Sequence, residues 1–548
     1  MLLLRVTAQT GPEQPAPPPD AAAANLHPLK QILLADSPEA AAKLSLQSGS
    51  PFIVATGSLK HLESEELTKR LIAAKDRNID KPLLEAIAGV LKIYAQQHGY
   101  LLVDINIPNQ SIADGALRLA VVPGKFRQIK FVGNRWFSES QLLGNLHVGR
   151  GEILSVLDLD QAVAWTNDSN PFRRVQAHIE QVANTNEADL VIGVQERLPL
   201  RFVAVFDNAG NETLGQNHYT LAATYANLWN LDHQATYQYI TTGRGQNFQG
   251  HVFSYRAPLP WHHYLQLNAT YLRARPKGII GGFFDQDAEN ITGDLRYTIP
   301  FRKGDNPGEL FANLSFKESN NDLLFGGTNV TPNSKTDILE LTFGANKVRR
   351  DKLGAWVFGV NATMSPGHID SRNTDHAFAY VRAGAKARYA YGSFSFQRMQ
   401  TLDRGWEFNL RGNLQVADNN LLSSEQLGVG GAATVRGFNE NVFAGDEGFV
   451  FGNDLLSPVW RQRVSLRGKQ FVPLETRFLA FYDAAQVRNK HFNPYDAHFV
   501  PMASTGVGVR MNWASNFSLS ADYGWQITRL PYAVTEHGRG HIKVTLAY

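Results

Sequence analysis

From Leu200 to Tyr548 apolar and polar side chains alternate residue by residue, a spacing that places them on opposite faces of extended strands. Tyr219, Leu221, Ala223 and Tyr225 alternate with His218, Thr220, Ala222 and Thr224. Val507, Val509, Met511 and Trp513 alternate with Gly506, Gly508, Arg510 and Asn512. Phe517, Leu519, Ala521, Tyr523 and Trp525 form another row, and Ile542, Val544, Leu546 and Tyr548 close the chain. Each segment is about the 9–11 residues that a tilted strand needs to cross a bilayer. A half-buried soluble sheet alternates too. Two features favour the membrane: the apolar rows begin or end in Tyr, Trp or Phe, and the polar rows carry Arg, Asp and Lys instead of a second apolar core.

Composition narrows the class further. No apolar run approaches the ~20 residues of a membrane helix. The absence of Cys excludes disulfide scaffolds, thiolate metal sites and cysteine nucleophiles. A net charge of +3 gives no pull towards nucleic acid. Residues 199–548 leave about 350 positions, and roughly 22 per strand with its connection suggests ~16 strands. Lipid cannot satisfy an open sheet edge, so such strands must close into a barrel, and one of this size encloses a wet lumen.

The preceding residues are different. Residues 1–50 are rich in Ala and Pro, with Pro15, Pro17, Pro18 and Pro19 forming a stiff stretch and Leu26 to Leu46 a candidate helix. Met1-Leu2-Leu3-Leu4 is too short for a signal-peptide core, so an export signal is expected to have been removed or to be missing. Residues 51–124 and 125–198 repeat one mixed α/β order. The first unit has a short helix at Leu67–Ile72, a longer one marked by Leu83, Ile87, Leu91 and Tyr94 and ended by Gly99, then strands Leu101–Ile107 and Ala116–Val122. The second has strand Phe126–Val132, helices Ser138–Leu143 (ended by Gly144) and Leu157–Trp165, then strands Val175–Ile179 and Leu190–Val194.

Residues 421–448 read LLSSEQLGVGGAATVRGFNENVFAGDEG and closely resemble the sixth-loop region of two-partner secretion (TpsB) transporters, relatives of the BamA insertase. The V-R-G-[YF] signature stands as Val435, Arg436, Gly437 and Phe438, and the following G-D-x-G as Gly445, Asp446 and Gly448. The F-x-D-x-G signature of a late strand appears as Phe481, Asp483 and Ala485, with Ala in place of the last Gly. Pro108-Asn109-Gln110-Ser111-Ile112 with Gly115 and Leu117 resembles the first POTRA module of the family; Gly133-Asn134 and Asn170-Pro171-Phe172-Arg173 resemble features of the second.

The resemblance implies two periplasmic POTRA modules followed by a 16-stranded antiparallel barrel in the Gram-negative outer membrane. It implies a loop folded into the lumen, with Arg436 paired to Asp483, and a short N-terminal plug helix, for which Leu26–Leu46 is the candidate. It also implies a partner: one large secreted TpsA-type exoprotein (adhesin, haemolysin or toxin), exported without nucleotide. Outer-membrane lipid is the other expected partner, and no cofactor, metal or nucleic acid is expected. No G-x-x-x-x-G-K-[ST] occurs, and Gly428-Val429-Gly430-Gly431-Ala432-Ala433 precedes a loop instead of opening a helix. An enzyme is disfavoured, because G-x-S-x-G, H-E-x-x-H and metal-spaced His clusters are missing. A TonB-dependent receptor would need ~22 strands. A BamA-like insertase remains the alternative, although such proteins usually carry more than two POTRA modules.

Overall fold

Asp80 caps the long helix Lys81–Gln97 by accepting from the Leu83 N–H at 2.8 Å, and Pro82 suits its first turn. In this computed structural model residues 27–548 are described, apart from 47–48, 101, 147–148, 150–154, 184, 212–213, 244–246, 277–283, 305, 326–327, 332–333, 467–469, 492–498 and 531–536. They fall into two units, Met1–Arg197 and Leu198–Tyr548. In the first unit the buried face of that helix, Leu83, Ile87, Leu91 and Tyr94, packs on Leu117, Leu119 and Val121 of a sheet. Gly99 stands just past its end at φ +102°. The sheet runs Ile53–Ala55, Gln31–Ala35, Ala116–Pro123, Val103–Asn106.

The helix expected over Leu26–Leu46 is not formed. Gln31–Ala35 is a strand with all 5 residues buried, parallel to Ile53–Ala55 on one side and Ala116–Pro123 on the other; only Pro38–Ala42 is helical. A central parallel strand reads as an unbroken apolar run, and over so few residues periodicity cannot separate it from a helix face. The segment is core of the first module, which therefore starts well upstream of residue 51, and its candidacy as a plug lapses. The proline stretch at 15–19 and the Met1–Leu4 run lie outside the described residues.

The second module has strands in the order Lys125–Val132, Glu187–Glu196, Arg173–Gln181, with helices Glu139–Leu146 and Val156–Ser169. Gly144 lies inside the first of these helices instead of ending it. Leu142 and Leu146, four apart on the buried face, hold that last turn down. Arg127 pairs with Asp189 on the neighbouring strand at 2.6 Å, and the guanidinium holds the Asp189 carboxyl down at about 2.

The second unit is a closed antiparallel barrel of 16 strands, from Leu200–Asp207 to Gly538–Ala547. Glu447–Leu456 and Trp460–Leu466 occupy one wall position between them, since both pair with Gln470–Arg488. Pro458, which has no N–H to give the ladder, sits at the break. Tyr219, Leu221, Val507, Tyr523 and Leu546 of the expected apolar rows face outward and are exposed. Strand lengths vary more than the bilayer requires: Phe284–Lys303 and Asn306–Phe325 each have 20 residues, about 66 Å of strand at ~3.3 Å per residue. The closing seam between the first and last strands is short, from Lys543↔Asp207 to Ala547↔Val203.

Candidate functional site: a loop clasped inside the barrel

Between Glu407–Ala417 and Glu447–Leu456 the chain turns into the lumen. Its arms, Leu427–Val429 and Phe443–Gly445, pair antiparallel, and the tip carries Val435, Arg436, Gly437 and Phe438. The wall that receives the tip is prepared by strand parity. On Gln470–Arg488, Phe481, Asp483, Ala485 and Val487 are buried on the inner face, while Tyr482 is exposed outward. In the next strands Gly506 lies opposite Phe481 and Gly524 lies opposite Gly506. These two glycines leave a depression: a Cβ on Gly506 would stand 2.4 Å from the Phe481 ring, and one on Gly524 would stand 2.6 Å from the Gly437 nitrogen.

Arg436 fills that depression. Its Nε and Nη2 donate to the two Asp483 carboxylate oxygens at 2.7 and 2.9 Å, and its main-chain N–H donates to the same group at 3.2 Å. Nη2 also reaches Asp454 at 2.6 Å, and the guanidinium lies 3.6 Å from the Phe481 ring centroid. Arg436 is 2% exposed and Asp483 0%. Arg411 donates to Asp483 at 2.9 Å, and Arg510 pairs with Asp522 at 2.6 Å, itself 3.7 Å from Arg436. Three guanidiniums thus face three carboxylates, and no charge in the knot is left without a counter-charge. Gly452, opposite both Arg411 and Asp483, makes room, since a Cβ there would come within 2.7 Å of each.

Gly437 is the hinge of the tip. It sits at φ +88°, where a side chain is strained, and a Cβ would lie 2.7 Å from the Gly524 carbonyl oxygen. Its N–H donates to His541 Nε2 at 3.0 Å and its carbonyl accepts from Gln526 at 2.8 Å. Phe438 turns the other way and is buried with Val435 against Val450, Ala485, Val487 and Met502 of the wall. The methyl of Ala485, where the family signature has Gly, is accommodated within that cluster.

Asp446 ties the root of the loop. It is fully buried and accepts from the Leu421 and Lys490 main-chain N–H groups, each at 2.9 Å, and from Arg382 at 2.6 and 3.1 Å. Arg382 follows the short helix Asp375–Val381. Gly445 and Gly448 flank Asp446 where the chain passes close to the Arg488 and Gln486 backbone. A third tie joins Glu425 to Lys317 at 2.6 Å and to the Tyr391 hydroxyl at 3.0 Å, with Glu340 on the same lysine at 2.8 Å.

Arg436 and Asp483 are thus brought together as the resemblance implied, and Asp446 is placed at the loop root. Sequence reasoning missed Asp454, Arg411, Asp522, His541, Arg382 and Lys317. Inward parity was the available signal for those on strands: Asp454 and Gly452 share the inner face with Asp483 and lie directly opposite Phe481 and Asp483. Arg382 and Lys317 carry no comparable local mark.

The family model for haemolysin secretion/activation protein ShlB/FhaC/HecB matches residues 186–511. Among curated relatives, outer membrane transporter CdiB-2 of Burkholderia pseudomallei is 23% identical over 387 residues, 66% of this chain. The match spans 62% of that relative's length. Outer membrane transporter CdiB of Dickeya dadantii is 22% identical over 451 residues, covering 79% of this chain and 74% of the relative. The solved structure of CdiB from Escherichia coli superimposes with a TM-score of 0.72 at 16% identity, covering 97% of this chain and 92% of its own, a likeness of fold.

Proposed function

Because this chain belongs to the haemolysin secretion/activation family ShlB/FhaC/HecB, whose matched relatives are named outer-membrane transporters, we propose that it exports one large β-rich exoprotein through its barrel. The cargo is a TpsA-type adhesin, haemolysin or toxin that crosses unfolded and without nucleotide. The two modules stand in the periplasm and capture the N-terminal secretion domain of the cargo by strand addition. Their sheets have suitable edges: Lys125–Val132 and Arg173–Gln181 each pair on one side only within the described sheet.

The observation that supports this reading best is the loop tip held against the inner wall by charge. Removing one partner of a buried ion pair strands the other without compensation. When water floods the lumen, both partners are solvated together and that penalty does not arise. The clasp is therefore firm in a closed lumen and exchangeable in a wet one, which suits a segment that must make way for cargo. Folding of the cargo outside supplies direction, so a cargo blocked from folding should stall.

The test is co-expression with the product of a large neighbouring reading frame that begins with a secretion domain. The cargo is expected outside the cell, and Arg436→Ala is expected to reduce its export while the barrel keeps its heat-modifiable mobility on electrophoresis. Cargo retained in the periplasm beside the unaltered transporter overturns the proposal, and normal export by Arg436→Ala overturns the role given to the clasp.

A further inference from the structure

The outward face of three adjacent strands carries cations where a lipid-facing wall should be apolar. On Thr336–Asp351, Phe343 faces outward and is exposed; Lys347 and Arg349 follow on the same face towards the hairpin turn. On Gly354–Ser365 the outward row holds Val360, Phe358 and Trp356, and on Tyr389–Thr401 it holds Phe394, Phe396 and Arg398. Register aligns them: Arg349 lies opposite Trp356, and Trp356 lies opposite Arg398. One cross-strand row therefore reads Arg, Trp, Arg, with Lys347 opposite Phe358 in the row above.

A lysine or arginine on the lipid face costs about 2–4 kcal/mol at mid-bilayer and about 0–1 kcal/mol near the interface. These cations must therefore lie at headgroup depth, and their contacts agree. The Lys347 ammonium stands 4.8 Å from the Phe301 ring centroid and donates to the Asn306 carbonyl oxygen at 3.0 Å. Arg398 is buried, its guanidinium 5.3 Å from the Trp356 ring centroid and clamped on both Asp351 carboxylate oxygens at 2.6 and 3.0 Å. Asp351 pairs with Arg398 at 2.6 Å and is the one carboxylate in these outward rows near this end, among the described residues. Arg349 is exposed and makes no ion pair among the described residues. The patch thus holds three cations against one carboxylate. Elsewhere on this end, the turns Trp229–Asp232, Leu259–His263 and Ala514–Asn516 contain no Lys or Arg, and Arg461 is paired with Glu475.

We propose that Lys347 and Arg349, beside Trp356 and the Asp351-clamped Arg398, form a binding site for the headgroup of an anionic phospholipid. Lys347 and Arg349 stand two residues apart on one strand face, about 7 Å along the strand, within reach of one phosphodiester from two long side chains. Val360 and Phe394 of the apolar band line the path of the acyl chains. The choice of a phospholipid rests on the orientation proposed above, which sets this rim in the periplasmic leaflet; sparing of the modules from external protease reads that orientation separately.

The full chain, purified in detergent, is exchanged into nanodiscs of phosphatidylcholine with a minority of phosphatidylglycerol, and the lipids it retains are counted by native mass spectrometry. Phosphatidylglycerol is expected to be enriched, with the enrichment falling about fivefold per cation removed in Lys347→Gln and Arg349→Gln. Asp351→Asn should raise it, an opposite sign that a folding defect would not produce. Arg461→Gln, a change at a guanidinium paired with Glu475, should leave it unchanged. Equal retention of the two lipids by the unaltered protein, enrichment unchanged in Lys347→Gln with Arg349→Gln, or displacement of the lipid by excess inorganic phosphate would each overturn the proposal.

Discussion

In the first module, Gln31–Ala35 is held between two parallel neighbours, wholly buried, with Ile32 and Leu34 packed in an apolar core. In the barrel, Val435–Phe438 is also an inserted segment, but its largest buried side chain is an arginine and the partners of that arginine are aspartates, with its main-chain N–H on Asp483 as well. The strand is kept by water's exclusion, which is non-directional and difficult to undo locally. The tip is kept by hydrogen bonds whose geometry fixes one pose and whose cost of release depends on whether water arrives. One segment is held by burial in an apolar core; the other is fixed in one pose by directional bonds.

Removing a single carboxylate should separate the two regions most sharply. Asp483→Ala leaves a buried guanidinium short of its bidentate partner, with an expected cost of about 3–5 kcal/mol. Hydrogen exchange should rise across the loop and not across the first module, and pore conductance should increase; unchanged exchange at the tip would break the contrast. In the module, Leu34→Ala should cost about 2–5 kcal/mol through lost burial and a cavity. Limited proteolysis should then cut the first module and spare the barrel. Gly437→Ala forces a side chain into a left-handed backbone and against the Gly524 carbonyl, for about 1–3 kcal/mol of strain. Its expected signature is looser loop exchange with the Arg436 ion pair chemically intact.

Acid should act on the second module through a different pair. Asp189 has its pKa lowered to about 2 by Arg127, below the ordinary carboxylate value of ~3.9. Its contribution is therefore complete above about pH 4 and lost as pH falls towards about 2. Exchange of the strand Glu187–Glu196 should accelerate over that window, and Asp189→Asn should remove the dependence. The smallest effect expected is Asp80→Ala, about 1 kcal/mol for loss of the cap on Lys81–Gln97, read as earlier thermal fraying of that helix alone.

How far the chain could be read depended on whether a signal was local. The barrel was legible because alternation recurs from segment to segment, and the helix Lys81–Gln97 because its apolar face and closing glycine lie within twenty residues. Arg436 and Asp483 were legible only through signature runs that resemble a family; neither position is marked by its own neighbours. Gln31–Ala35 is not legible as a strand because the four apolar residues Ile32 to Ala35 carry no decisive period. Arg382 and Lys317 stayed hidden because their partners, Asp446 and Glu425, lie 64 and 108 residues away. Such charges look like any other polar residue of a wet lumen until closure of the barrel sets them face to face.

The two 20-residue strands Phe284–Lys303 and Asn306–Phe325 are two and a half times as long as the 8-residue Leu200–Asp207. Their upper reaches carry Arg273's partners Asp287 and Glu289 on the outside, side chains suited to water and not to hydrocarbon. The wall therefore rises past the hydrocarbon band along these strands. In the export proposed above, this stretch of wall would keep an emerging polypeptide from lipid until it clears the surface.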